Sequence, residues 1–278
     1  MNGKNTLCQL QHQTPCQMMS YVLSTKDGKL IVIDGGTDQD AQYLVDTLKR
    51  FGGPTPVVDG WFLTHAHFDH ITAFMEIVEH FSDEVTVKKV YYNFQRADLI
   101  EQFESHEAHS ILRFNAMIPK FSQKCRILHK GDVIDFGEAR FTALTEPDAD
   151  LTENIVNNST VALKMELGGQ TVLFLGDLGL EAGDRMLSEW GSEALASDFV
   201  QMAHHGQNGV SRAVYEAARP KACLWNTPVW LWNNDAGGGY DTHVWQTVIV
   251  RGWMEELGVK HHFVTKDQTW EIDFPFVF

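Results

Sequence analysis

Hydrophobic positions along the chain switch repeatedly between two periods, and each switch marks an element. The run 19–24 and the run 30–34 are short and β-like, and Lys26-Asp27-Gly28-Lys29 lies between them. This predicts a hairpin that ends in the bend Asp34-Gly35-Gly36. Over 38–51, Ala41, Leu44, Val45 and Leu48 recur three or four residues apart, which predicts an amphipathic helix stopped by Gly52-Gly53-Pro54. The β-rich stretch 57–63 then runs directly into Thr64-His65-Ala66-His67-Phe68-Asp69-His70, so the histidines are expected at the C-terminal end of a strand. A second helix over 71–81 and a strand over 85–92 follow. Helical spacing returns over 98–122 and predicts an excursion across the sheet, followed by three short strands (CRIL, DVIDF and ARFTALT).

The second half repeats the alternation. STVALKMEL and TVLFLGD flank Gly168-Gly169 as a hairpin. Helix over 181–190, strand DFVQMA, helix over 211–218, strand ACLWN, helix over 242–257 and the strands VKHHFV and TWEIDF complete the chain. No linker or low-complexity tract divides the 278 residues, which are expected to form one domain. Mixed strands with helices at both ends of each half predict an α/β fold with two sheets face to face and helices outside, a four-layer αββα sandwich. Ligands are then expected at loops along one edge.

Charge narrows the range of partners. With 22 Lys and Arg against 37 Asp and Glu, the formal charge is −15, and the averaged field repels phosphate polymers and anionic lipid surfaces. A nucleic-acid partner is therefore disfavoured relative to a small molecule. No apolar run approaches the roughly 18 residues of a membrane span, and the start MNGKNTLCQLQHQ lacks a basic flank before an apolar segment. The expectation is a soluble, cytoplasmic protein without a membrane partner. Cys8, Cys16, Cys125 and Cys223 form no CxxC and are expected to be reduced, although Cys8 and Cys16 are near enough in sequence to close a local loop.

The chemistry concentrates at residues 65–70, where three imidazoles and a carboxylate follow an apolar strand. Side chains alternate along extended backbone, so His65 and His67 point the same way and can grip one cation, while Asp69 and His70, beyond the bend, can face a second. Imidazole nitrogen and carboxylate oxygen at about 2.0 to 2.2 Å are what Zn²⁺ prefers. A helix cap explains Asp69 alone, not its three neighbours. Asp177 follows the apolar run VLFLG at a strand end, where a carboxylate can reach between two cations held roughly 3.5 to 4 Å apart.

The HxHxDH segment resembles the signature of the metallo-β-lactamase-fold hydrolases at every fixed position. The resemblance extends over nearly the whole chain. It implies that Asp34 braces the histidine loop and that Asp177 bridges two metals. Within that superfamily the second half resembles the competence-protein (ComEC-like) branch. The pieces that carry this are Asn157-Asn158-Ser159-Thr160-Val161, LFLGDLGLEAGDRML around Asp177, and DFVQMAHHGQNGVS. One of His204 and His205 then closes the second metal's coordination beside Asp69, His70 and Asp177, and the other shuttles a proton or binds a phosphate oxygen. The family's more familiar enzymes supply a third histidine to the first metal in a window that here reads Asn157-Asn158-Ser159. Asn158 or Ser159, Asp148 or Glu153 from the preceding loop, or water are the candidate replacements. Carboxamide and water ligands shift preference toward harder cations such as Mn²⁺.

The resemblance also marks His243, before the last helix, as a residue that orients substrate or donates a proton to the leaving oxygen, or else serves structure. His106 and His109 lie three apart on the excursion and are read as a solvated face. His261 and His262 point to opposite faces of a strand. The aromatic stretch Trp225 to Trp232, with the Gly-rich segment to Tyr240, predicts either a lid that stacks on substrate or core packing. Together these readings predict a metal-dependent hydrolase with one or two Zn²⁺ ions (Mn²⁺ as the variant) and a metal-activated water, whose proton Asp69 accepts. The substrate expected is a phosphodiester or related phosphate ester. Lactone, thioester or β-lactam hydrolysis on the same fold and a metal-binding module without turnover are the alternatives.

Overall fold

A computed structural model describes residues 3–278. Two seven-stranded sheets dominate it. The first runs, in spatial order, Trp270–Phe274, Asn5–Gln9, Ser20–Ser24, Leu30–Asp34, Gly60–Leu63, Val90–Tyr92 and Cys125–Ile127. The second runs His261–Val264, Ala222–Trp225, Phe199–Gln201, Gln170–Phe174, Leu163–Leu167, Ala139–Ala143 and Val133–Phe136. Val57–Val58 and Thr86–Val87 form a separate two-stranded ladder.

The layers follow from the two-residue period of the strands. Tyr21, Leu23, Ile31, Ile33 and Phe62 of the first sheet share one buried cluster with Phe141, Met165, Val172, Phe174, Phe199 and Leu224 of the second. The intervening residues Val22, Val32, Trp61 and Leu63 pack with Leu44, Leu48 and Phe74 of the helices Ala41–Gly52 and Phe68–His80. On the far side, Leu173, Val200, Cys223 and Trp225 pack against Met186, Tyr215 and Met254 of the helices Leu180–Leu195, Arg212–Ala218 and Thr247–Glu256. Three cores between four layers make the αββα sandwich. Strands covered on both faces read as continuous apolar runs, which is why LIVID and TVLFL carry no alternation.

Three details depart from the sequence reading. The strand Asn5–Gln9 is fully buried although its sequence is NTLCQ, because each polar side chain has a partner. Asn5 accepts from the Lys26 amide, Thr6 donates to Asp273, and Gln9 donates to Asn226. The second helix begins at Phe68 rather than Ile71, so Asp69 and His70 lie in its first turn, where a carboxylate suits the helix dipole. The excursion divides into the helices Ala97–Phe103 and Ala108–Met117, joined by the turn Ser105–Glu107.

All four cysteines are free, with Cys8 and Cys223 buried. Among the described residues no helix is long and apolar enough to cross a membrane. The strands Leu30–Asp34, Gly60–Leu63, Gln170–Phe174, Phe199–Gln201 and Ala222–Trp225 run parallel to their neighbours in this set. Their C-terminal ends deliver Asp34, His65, Asp177, His205 and Asn226 to one edge of the sandwich, the position where such strand ends present ligand-binding loops.

Candidate metal centre

The histidine segment is aligned by one buried carboxylate. Asp34 closes its strand at φ 57°, a left-handed conformation that Asp tolerates better than most residues. Its Oδ1 accepts the Thr64 amide at 2.8 Å, and its Oδ2 accepts the Thr64 hydroxyl at 2.9 Å. The same Oδ2 lies 2.9 Å from Nδ1 of His70, and the Asp34 carbonyl accepts the Trp61 indole at 2.7 Å. The end of one strand and the first turn of the next helix are thereby fixed together. Burial raises the Asp34 pKa, against the opposing pull of His70 and Thr64.

Asp177 sits on a loop clamped by Gln201. The Leu175 and Gly176 amides donate to Gln201 Oε1 at 2.8 and 2.6 Å, and Gln201 Nε2 returns a bond to the Gly176 carbonyl at 3.0 Å. Gly176 has φ 50°, and a Cβ there would lie 2.7 Å from Thr160 Cγ2 and 3.1 Å from Thr64 Oγ1. Only glycine lets this loop close onto the histidine segment. Beyond the strand Phe199–Gln201, His204 (φ 51°), His205 (φ 56°) and Gly206 (φ 85°) are all left-handed. Two bonds hold this turn: the His204 amide donates to the Gly176 carbonyl at 2.9 Å, and the Thr227 hydroxyl donates to the His205 carbonyl at 2.5 Å.

These loops bring together two groups of donor atoms. His65, His67 and Asp177 form one; Asp69, His70 and His205 form the other; in each group the atoms lie within 4.8 Å of one another. In the first, His65 Nε2 is 3.0 Å from His67 Nδ1 and 3.9 Å from Asp177 Oδ2. In the second, His205 Nε2 is 3.1 Å from Asp69 Oδ2. Asp177 spans the two, with Oδ1 3.2 Å from His70 Nε2 and Oδ2 3.5 Å from His205 Nε2.

The outer nitrogens of three of these imidazoles are occupied. Thr64 Oγ1 lies 3.1 Å from His65 Nδ1, Asp34 lies on His70 Nδ1, and the Asn226 carbonyl is 2.8 Å from His205 Nδ1. Acceptors on Nδ1 place the proton there and leave the Nε2 lone pair facing inward. His70 Nε2, His205 Nε2 and Asp177 Oδ1 are buried without a hydrogen-bond partner, a condition that costs about 1–3 kcal/mol per group unless something fills it. Imidazole and carboxylate atoms converging in this way fit a divalent cation.

Electrostatics agree with that fit. Burial acts to raise the Asp177 pKa, but His70, His205 and His204 outweigh it and hold the carboxyl well below the usual range. Burial drives His65 well below the ordinary imidazole value, and His67 is pushed down to about 4. His70 and His205 are raised despite burial, by Asp177 with Asp34 in one case and by Asp177 with Asp69 in the other. The buried carboxylates attract positive charge, as protons or as a metal ion.

Other residues singled out in the sequence lie around this centre. The His204 side chain is 22% exposed, with Nε2 3.8 Å from Asp177 Oδ2 and Nδ1 3.2 Å from the Asn208 carbonyl, which places it at the rim. Asn158 departs from the ligand reading. Its Oδ1 accepts the Ala182 amide at 3.2 Å and its Nδ2 donates to the Glu153 carbonyl at 2.8 Å, so both ends of the carboxamide serve the start of the helix Leu180–Leu195. His243 is exposed and its ring lies 3.8 Å from that of Trp245. The adjoining Gln246 amide donates to Asn208 Oδ1, next to His204. Of the aromatic stretch, Trp225 is core, whereas Trp230 packs on Trp245 and donates its indole N–H to the Pro15 carbonyl.

His106 and His109 are exposed, and between them Glu107 turns inward with Oε2 3.6 Å from His67 Nε2. No spacing in the sequence marks Glu107. Gln201, Asn226 and Thr227 escaped the sequence reading as well; their amides, hydroxyl and carbonyl act on backbone and on ring nitrogens, which leaves no motif.

Among solved structures, the fold is similar to the metallo-β-lactamase fold protein YhfI from Bacillus subtilis, with TM-score 0.54, 13% identity, and coverage of 96% of this chain and 99% of that one. It is also similar to CmlA, a diiron β-hydroxylase from Streptomyces venezuelae, with TM-score 0.56, 13% identity, and coverage of 98% of this chain but 54% of that one. At such identities the likeness is one of fold. No curated protein sequence matches the chain. The family model described as the metallo-β-lactamase superfamily matches residues 13–222, more than half of the 278 residues, and spans both donor groups; the chain belongs to the metallo-β-lactamase superfamily.

Proposed function

We propose that the protein is a metal-dependent hydrolase of phosphate esters, with a phosphodiester as the favoured substrate. His65, His67 and Asp177 would hold one divalent cation, and Asp69, His70 and His205, sharing Asp177, a second. The observation that carries this reading is the position of Asp177 between two sets of inward-facing imidazole nitrogens, with Oδ1 unpartnered and 3.2 Å from His70 Nε2. A divalent ion held there lowers the pKa of water from 15.7 to about 7 and polarises the bond under attack.

The chain's own residues then have separable tasks. Asp69, buried and 3.1 Å from His205 Nε2, accepts the proton of the attacking water. His204, at the rim beside Asp177, donates to a phosphate oxygen or to the leaving group. His243, joined through Gln246 and Asn208 to the same rim, orients the substrate. Stretches 157–161, 173–187 and 198–211, which resemble the competence-protein branch, support a phosphodiester. The net charge of −15 favours a small phosphorylated molecule over a polymer.

The test combines elemental analysis with turnover of bis(p-nitrophenyl) phosphate in the presence of Zn²⁺ or Mn²⁺. Stoichiometric metal together with metal-stimulated turnover supports the reading. Metal content without hydrolysis, or hydrolysis restricted to lactones and thioesters, overturns the substrate assignment.

A further inference from the structure

Three of the four imidazoles of the two donor groups present the same arrangement, with Nδ1 on an acceptor and Nε2 facing the centre. His65 has the Thr64 hydroxyl at 3.1 Å, His70 has Asp34 at 2.9 Å, and His205 has the Asn226 carbonyl at 2.8 Å. His67 is turned the other way. Its Nδ1 faces His65 Nε2 at 3.0 Å, so its outer nitrogen is Nε2, an atom that is buried and lacks a hydrogen-bond partner. The carboxylate facing that nitrogen is Glu107, whose Oε2 lies 3.6 Å away.

We propose that Glu107, carried on the helical excursion, is the positioning residue for His67: its carboxylate accepts the proton on Nε2 and thereby aims the Nδ1 lone pair at the cation shared with His65 and Asp177. The inference rests on the metal-centre reading above and extends it to a segment outside both sheets. The separation is a few tenths of an ångström beyond a hydrogen bond, a gap that rotation about the glutamate's side-chain torsions closes. The segment itself is anchored. The Glu107 amide donates to the Glu104 carbonyl at 2.9 Å, and Glu104 Oε2 accepts the Val156 amide at 3.1 Å. Burial raises the Glu107 pKa; His106 opposes it, and Glu104 and Asp69 add to it, as befits a carboxylate turned from solvent toward the site. Carboxylate–imidazole–metal triads of this kind fix ring orientation and raise ligand basicity.

Wild type, Glu107→Gln and Glu107→Ala are compared by chelator competition and by the absorption spectrum of the Co²⁺-loaded protein, with circular dichroism of the metal-free forms to establish folding. The expected result is that Glu107→Ala binds as many ions as wild type at saturation, holds one of them about 10–100-fold more weakly, and shifts the Co²⁺ bands. Glu107→Gln, whose amide oxygen still accepts, loses less.

The proposal is overturned if Glu107→Ala matches wild type in affinity and spectrum, or if Glu107→Gln loses as much as Glu107→Ala. Loss of an ion from Glu107→Ala at saturation also overturns it, because Glu107 would then be a direct ligand. Failure of the wild type to bind any ion instead overturns the metal-centre reading itself, so the two failures are distinguishable.

Discussion

Asp34 and His70 are joined across two elements by a 2.9 Å contact between Oδ2 and Nδ1, while the same carboxylate receives the amide and hydroxyl of Thr64. Asp34→Asn keeps the left-handed backbone and one acceptor but loses the charge, and is expected to weaken metal retention about 10–100-fold while the protein stays folded. Asp34→Ala removes every acceptor and adds a stability loss on the order of 3 kcal/mol. Metal content after dialysis and thermal unfolding measure the two effects; wild-type metal retention in both variants would contradict the role.

Asp177 contacts both donor groups, so its replacement should disable both. Asp177→Asn is expected to lower phosphodiester turnover by at least about a hundredfold, beyond the effect of losing an outer partner, and to lower metal content in parallel. Full activity with full metal content in the variant sinks the bridging assignment.

Asn158 makes the opposite prediction. Because its carboxamide joins the Ala182 amide to the Glu153 carbonyl, Asn158→Ala should cost about 1 kcal/mol of stability and leave metal content unchanged. A metal deficit with an unaltered melting temperature would restore the ligand reading.

The shifted imidazoles set a pH dependence of metal binding with a definite sign. The carboxylates around them raise His70 and His205 above the ordinary imidazole value, whereas burial lowers His65 and His67 below it. Cation binding therefore competes with protons on the first pair, and apparent affinity should climb as pH rises above the ordinary imidazole value of about 6.5. Calorimetry in buffers of different ionisation heat reads the proton release directly. A flat or falling affinity above that value contradicts the assignment.

His243 stands on the surface beside Trp245 rather than among the donor atoms. His243→Ala is expected to raise KM about tenfold, the loss of one charge-assisted contact, with metal content intact. An unchanged KM and kcat would reduce the residue to a structural one.

What was legible in the sequence was what lies close together along it. His65 to His70 occupy consecutive positions after an apolar strand, and Asp177 follows another, so period and residue type sufficed to mark them. The four layers were legible for the same reason, since apolar runs covered on both faces require helices on each side. The strand Asn5–Gln9 was missed because its polar residues are matched across distances of up to 267 positions, as Thr6 is with Asp273, and pairing at such range leaves no local period. Asn158 misled because an amide near a strand end suits a ligand and a cap equally well. Glu107 was hidden between two exposed histidines, on a turn that follows Glu104, whose carboxylate accepts the distant Val156 amide.

The turn at His204, His205 and Gly206 also bears on attempts to borrow this centre. Each left-handed non-glycine residue carries strain of about 1–3 kcal/mol, and it persists here because the Gly176 carbonyl and the Thr227 hydroxyl grip the backbone, while a Cβ at position 206 would strike the Trp225 ring at 2.5 Å. An engineer transplanting the histidine pair into another scaffold without those three neighbours would see it relax to ordinary dihedrals and lose its aim. The smallest portable unit is therefore the turn together with its grips, not the short string of letters that spells it.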